Sequence, residues 1–495
     1  MMADWLALSP RRLLAALGFI AIFVLATQPV TDPDLWWHLR TGQWIAEQGA
    51  VPRADPFSFT KSGEPWVAHE WLADLTLFTL WRAGGMNALV IVAALVVTAA
   101  FAVVYSLSEL RPHLAVFTTL LAALASAVTW GPRPQMLTLL FAALILLIVQ
   151  RARAAGPRRL YLLLPLILLW ANAHSGFFLG LILIGATLVG DIIELLLRRR
   201  SLSPDAFAGQ AQYLKHLTAA LVLATLIAAI NPNGPALLIY PFFTLTSRAM
   251  QTYIVEWHSP DFHDPRFLPF ALLLLSLLTS FALSSRRPTL GDMLLLLGLG
   301  YESLVSARNI PFFALVAAPV ITKQVSALMP HAPQPVTGHS TAPTVPKRRL
   351  VVLNRLVLAV AVLVAVARVG MTLTADAAAV EQNFPAGAAA YLEQHHLPGP
   401  MLNSYNFGGY LIWRLFPAYK VFIDGRADVY GDRFMDEYYA RAWQGRGDWQ
   451  GYLDRYQIAL VLMEQDGALT SLLRGQPQWR LVYEDKVAAI FQRAP

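Results

Sequence analysis

Eleven apolar runs punctuate the chain, near residues 13–30, 86–107, 113–130, 134–150, 160–173, 176–197, 214–230, 267–284, 289–305, 310–322 and 350–370. A straight helical crossing of a bilayer needs about 20 predominantly apolar residues. Most runs therefore read as transmembrane helices, and the short ones around 160, 214 and 310 as tilted or half-buried spans. The first run follows Arg11-Arg12 but lacks a small-x-small cleavage site, so it reads as an uncleaved span. Beyond residue 372 the pattern changes. Short apolar runs (MLNSYN, KVFIDGR, ALVLM, WRLVYED, VAAIFQR) alternate with helix-period stretches such as AGAAAYLEQHH and RFMDEYYARAW, which predicts a small α/β domain.

The fold expected is thus a polytopic α-helical membrane protein of about eleven spans with an appended α/β domain. Its expected division is a membrane domain over 1–371, containing a first outer loop at 31–85 and a Pro- and Thr-rich cytoplasmic linker at 324–348, and an extracytoplasmic α/β domain over 372–495.

Composition agrees: 56% of the 495 residues are hydrophobic and 14% charged, with a mean hydropathy of +0.49, more apolar surface than a soluble core could hide. A net charge of +7 could suggest a nucleic-acid partner, but the basic residues fall on alternate loops, seventeen on one set and eight on the other. That asymmetry is a topology signal. It predicts a cytoplasmic N-terminus, an outside tail, membrane lipids as surroundings and no nucleic acid. Cysteine is absent, which excludes disulfides, thiolate nucleophiles and zinc-thiolate sites.

Ionisable residues at membrane depth are costly and point to function, and here they gather at the outer ends of the spans. They are Asp32, Asp34, His38 and Arg40 after the first span, His69-Glu70 later in the same loop, Arg133, His174, Glu256 with His258, and Arg308. Each also has a structural reading. Asp34 precedes a helical pattern and could be its N-cap; Asp32, before Pro33, suits a turn. His38, one helical turn after Asp34, could share a proton or a cation with it, so Asp32, Asp34 and His38 form a candidate site for a divalent cation (Mg or Mn). Glu70 could cap a helix, Arg133 could meet lipid headgroups, His174 could be a satisfied core histidine, and Arg308 could pair with Glu302. Asp424 and Arg426 in VFIDGRADVYG suit a bridged Asp-Gly turn or an acceptor contact. In the first outer loop two amphipathic pieces predict interfacial helices: Leu35, Trp36, Leu39, Trp44 and Ile45 form one lipid-facing stripe, and Trp71, Leu72, Leu75 and Phe78 another.

The blocks DPDLWWHLRTGQWI, PWVAHEWLADL, SYNFGGYLIWRLFP and VFIDGRADVYG, with the acidic pair beyond the first span and the outer α/β tail, resemble the GT-C class of integral-membrane glycosyltransferases, in a bacterial branch. The resemblance implies a bacterial inner-membrane enzyme that moves a sugar from a polyprenyl-phosphate donor to a glycan, lipid or protein acceptor. The first-loop acid, Asp34 or Asp32, would be general base. His38, Arg40, His69, Glu70, Arg133, His174, Glu256, His258 and Arg308 would bind substrate. No GxxxxGK[ST] or GxGxxG is present, in keeping with a non-nucleotide donor. A flippase or transporter, or a glycan ligase acting on lipid-linked saccharides, is the alternative.

Overall fold

The computed structural model describes residues 8–108, 111–329 and 348–494. Each of the eleven expected runs falls on a helix: α1 (Pro10–Ala26), then, after α2 (Asp34–Gln48), α3 (Trp71–Ser106), α4 (Pro112–Ser126), α5 (Gln135–Ala155), α6 (Leu163–Ala173), α7 (Phe177–Arg198) and α8 (Pro204–Ala228). Two short helices, α9 (Tyr240–Thr246) and α10 (Arg248–Tyr253), precede α11 (Leu268–Leu283), α12 (Leu290–Val305), α13 (Ile310–Leu328) and α14 (Arg348–Asn383). Eight of the helical segments in the described residues are long and apolar enough to cross a membrane; α1, α6 and α12 are shorter. The chain is a multi-pass membrane protein. Most of the linker expected at 324–348 lies outside the described residues.

α3 is two helices joined at a kink. Gly84 and Gly85 leave helical geometry, and Gly85 has a φ of +65°, a conformation that a side chain would resist. The 71–83 arm is the second amphipathic piece, and the 86–106 arm is the span. α14 runs on past residue 372 to Asn383 and packs on α1. Asn354 Nδ2 donates to the Leu8 carbonyl (2.7 Å), and Asp376 accepts the Val30 N–H (2.7 Å).

The tail carries α15 (Ala386–His395), β1 (Met401–Asn403), α16 (Tyr405–Leu415), α17 (Ala427–Tyr438), α18 (Trp449–Arg455), β2 (Leu460–Glu464), α19 (Ala468–Leu473), β3 (Trp479–Glu484) and β4 (Ala488–Arg493). The strands form one sheet in the order β1-β2-β4-β3, with β1 parallel to β2 and the other pairs antiparallel. The α/β expectation holds.

This tail sits on the loop between α1 and α3, which corrects the lipid-facing stripe expected on α2. Leu35, Trp36, Leu39 and Ile45 are buried, and Trp36 packs edge-on to Phe384 and Tyr410. A periodic apolar face demands a partner without naming it, and here the partner is protein. Residues 57–59 pair with Val421, since Val421 donates to the Phe57 carbonyl (3.1 Å) and Phe59 to that of Val421 (3.0 Å). Beneath them the buried Arg426 bridges Asp424 (2.6 Å) and Asp55 (2.7 Å), its guanidinium over the rings of Trp66 and Phe57. The bridged Asp-Gly turn is therefore real, and it also ties the tail to the first loop. A buried charge is tolerable only when paired and hydrogen-bonded, which this one is.

Candidate functional site

A cleft of about 2050 Å³ opens where the first loop, the tail and the turns after α4, α6, α10 and α12 meet. Pro33 holds the N-cap position of α2, leaving Asp34 in its first turn, and it is Asp32 that accepts the Asp34 N–H (2.9 Å). Asp34 is thus not the cap. Its carboxylate accepts from Trp37 Nε1 (3.1 Å) and lies directly against Gly425 of the tail, where a Cβ would collide with it. Gly409 meets the Pro33 carbonyl in the same way. Burial, reinforced by the neighbouring Asp32, pushes the Asp34 carboxyl up to about 7.

Arg133, on the stiff Pro-Arg-Pro turn before α5, joins two loops distant in sequence. It reaches Asp32 at 3.2 Å and Glu256 at 2.7 Å. Arg308, for which a pair with Glu302 is the alternative reading, makes no ion pair among the described residues and lies over the Trp257 ring at 4.5 Å.

A second cluster centres on Glu70, which precedes α3 and caps nothing with its side chain. His174 Nε2 lies 3.2 Å, and His69 Nε2 3.5 Å, from Glu70 Oε1; His38 Nδ1 is 3.6 Å from Oε2. The His174 tautomer follows from its partners. Gly176 N–H can only donate, so Nδ1 accepts it (2.9 Å). Thr138, whose oxygen takes the Trp170 Nε1–H (3.0 Å), turns its own proton to the same Nδ1 (2.9 Å). The remaining proton sits on Nε2, facing Glu70. Burial pushes His174 down to about 4, so it is neutral. Burial also disfavours the His69 cation, but Glu70 beside it outweighs this and holds the imidazole up at about 9. His38 is likewise raised, because Asp74 and Glu70 overcome its burial. Burial works against the Glu70 anion too, yet His69 and His38 hold its carboxyl well below the usual range.

The candidate cation site changes composition. Asp32 is turned to Arg133, and the three residues whose ligand atoms lie within 4.8 Å of one another are His38, Glu70 and Asp74. His38 Nδ1 and Asp74 Oδ1 are 2.6 Å apart. Two ligands each about 2.1 Å from one Mg or Mn ion at a right angle stand about 3 Å apart, so an ion shared by this pair would take the place of their hydrogen bond. Arg40 is the other correction. At about 100° per residue it points away from the Asp34 and His38 face, donating to Gln43 Oε1 (2.6 Å) and lying over Phe416. The remaining expected residues, Asp32, Asp34, His38, His69, Glu70, Arg133, His174, Glu256, His258 and Arg308, all line the cleft.

The chain is similar to the Archaeoglobus fulgidus oligosaccharyltransferase tethered with an acceptor peptide containing the NVT sequon, over 92% of this chain and 69% of that one, with TM-score 0.51 and 13% identity. A second structure of that organism's enzyme, AglB in complex with an inhibitory peptide and a dolichol-phosphate, aligns over 91% and 69% with TM-score 0.50 and 12% identity. ArnT from Cupriavidus metallidurans in the apo state aligns over 95% of this chain and 96% of that one, with TM-score 0.50 and 16% identity. This chain shares its fold with these membrane proteins. No family model matches the sequence, and neither does any curated protein.

Two further acids line the cleft. Asp74 sits one turn into α3 and Asp428 in the first turn of α17. In sequence Asp74 reads as an ordinary N-terminal helix charge, and Asp428 reaches the cleft only because the tail docks. Below the polar rim the cleft continues as an apolar furrow between α7 and α12, past Ile182 and Ala186 on one side and Leu294, Leu295 and Gly298 on the other. At 1.5 Å per residue, Ala186 lies about 13 Å inward from the start of α7. Ile182 and Leu294 are 47% and 39% exposed while lining it, so the furrow opens sideways onto the apolar belt.

Proposed function

We propose that the protein is a glycosyltransferase that moves a sugar from a polyprenyl-phosphate donor to an acceptor hydroxyl at the outer face of a bacterial inner membrane. The observation that carries this reading is the convergence of Asp32, Asp34, Arg133 and Arg308, from loops far apart in the chain, at the head of an apolar furrow open to lipid. An isoprenoid chain suits the furrow, and one structural neighbour carries a dolichol-phosphate. The seventeen-to-eight asymmetry of basic residues supports a cytoplasmic N-terminus and an outer cleft.

In the reaction, the acceptor oxygen attacks the anomeric carbon and gives its proton to Asp34. The bond from that carbon to the phosphate oxygen breaks, and the phosphate leaves with the electron pair. Asp34 suits the base role because a group near pH 7 combines a useful ionised fraction with proton affinity. Asp32 orients Arg133, which with Arg308 stabilises the charge growing on the phosphate. His174, kept neutral, offers an N–H from a fixed position. Were a divalent cation bound, His38, Glu70 and Asp74 would hold it and it would supply electrostatic stabilisation of the phosphate; the roles above are those of the chain's own residues.

The test is to incubate the purified protein with a panel of polyprenyl-phosphate sugars and candidate acceptors and to follow carrier release, alongside Asp34→Asn and Asp32→Asn. Release that depends on an acceptor and is lost in Asp34→Asn is expected. Full activity in both variants would refute the base assignment.

A further inference from the structure

We propose, resting on the donor reading above, that the acceptor is a neutral saccharide chain, held against a shelf of aromatic rings on the tail, Tyr405, Tyr439 and Trp443, which continues the cleft outward from Asp34.

The shelf stands where the tail ends its two parallel strands. β1 runs into Ser404 and Tyr405, β2 ends at Glu464, and the Ser404 hydroxyl donates to the Glu464 carboxylate across them. Ligands of α/β folds sit beyond the carboxyl ends of such strands. At that end α17 opens after Tyr438 into a π turn over Tyr439–Trp443, in which the Gln444 N–H reaches back five residues to the Tyr439 carbonyl (2.9 Å). Turns of this kind are rare and gather at functional sites. Both Tyr439 and Trp443 line the cleft from it, their ring centres 6.1 Å apart. Tyr405 lies 6.1 Å from Tyr439 and donates to the carbonyl of Gly425, the residue against which the Asp34 carboxylate packs (3.2 Å). Tyr253 of α10 stacks on Tyr439 at 4.0 Å and steadies it from outside the tail.

A sugar ring offers a face of C–H bonds to the negative face of an aromatic ring, and a rim of hydroxyls that both donate and accept. The shelf supplies both kinds of partner. The Tyr439 hydroxyl, Trp443 Nε1 and the amide of the exposed Asn406 have no hydrogen-bond partner among the described residues, and all three residues line the cleft. Other acceptor classes find less. Among the described residues no strand of the sheet lines the cleft, and the edge of β1 is covered, since Asn403 Oδ1 accepts the Phe422 N–H and its Nδ2 donates to the Ile423 carbonyl (2.7 Å each). An extended peptide has no ladder there to join. An anionic acceptor meets no free cation on this wall, because Arg426, the arginine that the tail contributes to the cleft, is spent on Asp424 and Asp55, while Asp428 adds negative charge. The apolar furrow that suits a lipid chain lies on other elements, between α7 and α12.

Equilibrium binding to the purified full chain tests the idea. The probes are neutral hexasaccharides of glucose, mannose and galactose, an uncharged hexapeptide and a polyprenyl-phosphate hexose, each titrated separately. The parent is expected to bind at least one hexasaccharide, and Trp443→Ala to bind it about tenfold more weakly, with polyprenyl-phosphate hexose binding unmoved. Trp443→Phe, which keeps a flat ring, should recover most of the loss. Asn406→Ala should weaken saccharide binding about fivefold, and its exposed position keeps the idea testable should Trp443→Ala misfold. No saturable binding of any hexasaccharide at millimolar concentration, tighter binding of the hexapeptide, or saccharide binding indifferent to both Trp443→Ala and Asn406→Ala overturns the proposal and leaves the donor reading standing. A parent that binds a hexasaccharide through Trp443 but no polyprenyl-phosphate hexose removes the donor reading instead.

Discussion

Arg426 Nη1 and Asp55 Oδ1 lie 2.7 Å apart in the buried contact between tail and first loop, 371 positions apart in the chain. Because Arg426 also serves Asp424, its removal strands two buried carboxylates. Arg426→Met should therefore cost about 3–5 kcal/mol, read as a lowered melting temperature and as protease sensitivity of the tail. Arg426→Lys should rescue little, since one ammonium cannot reproduce a fork that bonds both acids.

In the proposed reaction the Asp34 carboxylate must be ionised to take a proton. With its carboxyl pushed up to about 7, kcat/KM should rise with pH through that region and level off above it. Asp32→Asn removes a neighbouring negative charge that raises the Asp34 value, so the acidic limb of its profile should move to lower pH. Asp34→Asn should lose about 10²- to 10⁴-fold in kcat. A profile whose acidic limb survives in Asp34→Asn would assign it to another group.

His69 gives a stability prediction of opposite sign. Its value rises from the ordinary 6.5 to about 9 on folding, so its contribution is fully present below 6.5 and is lost as pH climbs through 9. At 1.36 kcal/mol per unit the loss amounts to about 3 kcal/mol. Melting temperature should fall between pH 6.5 and 9 in the parent, and His69→Gln should flatten that fall.

Gly425 tests the fit between tail and acid. A methyl there meets the Asp34 carboxylate, so Gly425→Ala must displace one of them. Activity should drop about tenfold or more while melting changes by only a few degrees, as expected when a small misplacement disturbs reacting groups. Gly209→Ala, on α8 with open space around it, should leave kcat unchanged.

The spans were legible because a long apolar run has few alternatives to a membrane helix, and Arg133, Glu70 and His174 could be nominated because polar groups at span ends are costly. What covers an apolar face was not legible: Trp36 and Leu39 carry the same pattern against lipid or against Phe384. Asp74 and Asp428 were missed for a related reason. Their meaning comes from neighbours brought in by the docking of distant segments, and local periodicity carries no record of that. Arg40 was a neighbour in sequence on the wrong side of its helix.

Gly425 and Arg426 close over a motif made nearly four hundred residues earlier. During synthesis, the helices before them can enter the bilayer and pack while the Asp34 carboxylate still stands open to water, its neighbours not yet translated. Copies stalled before this point would carry the spans through α14 and yet lack the residues that close the cleft over Asp34.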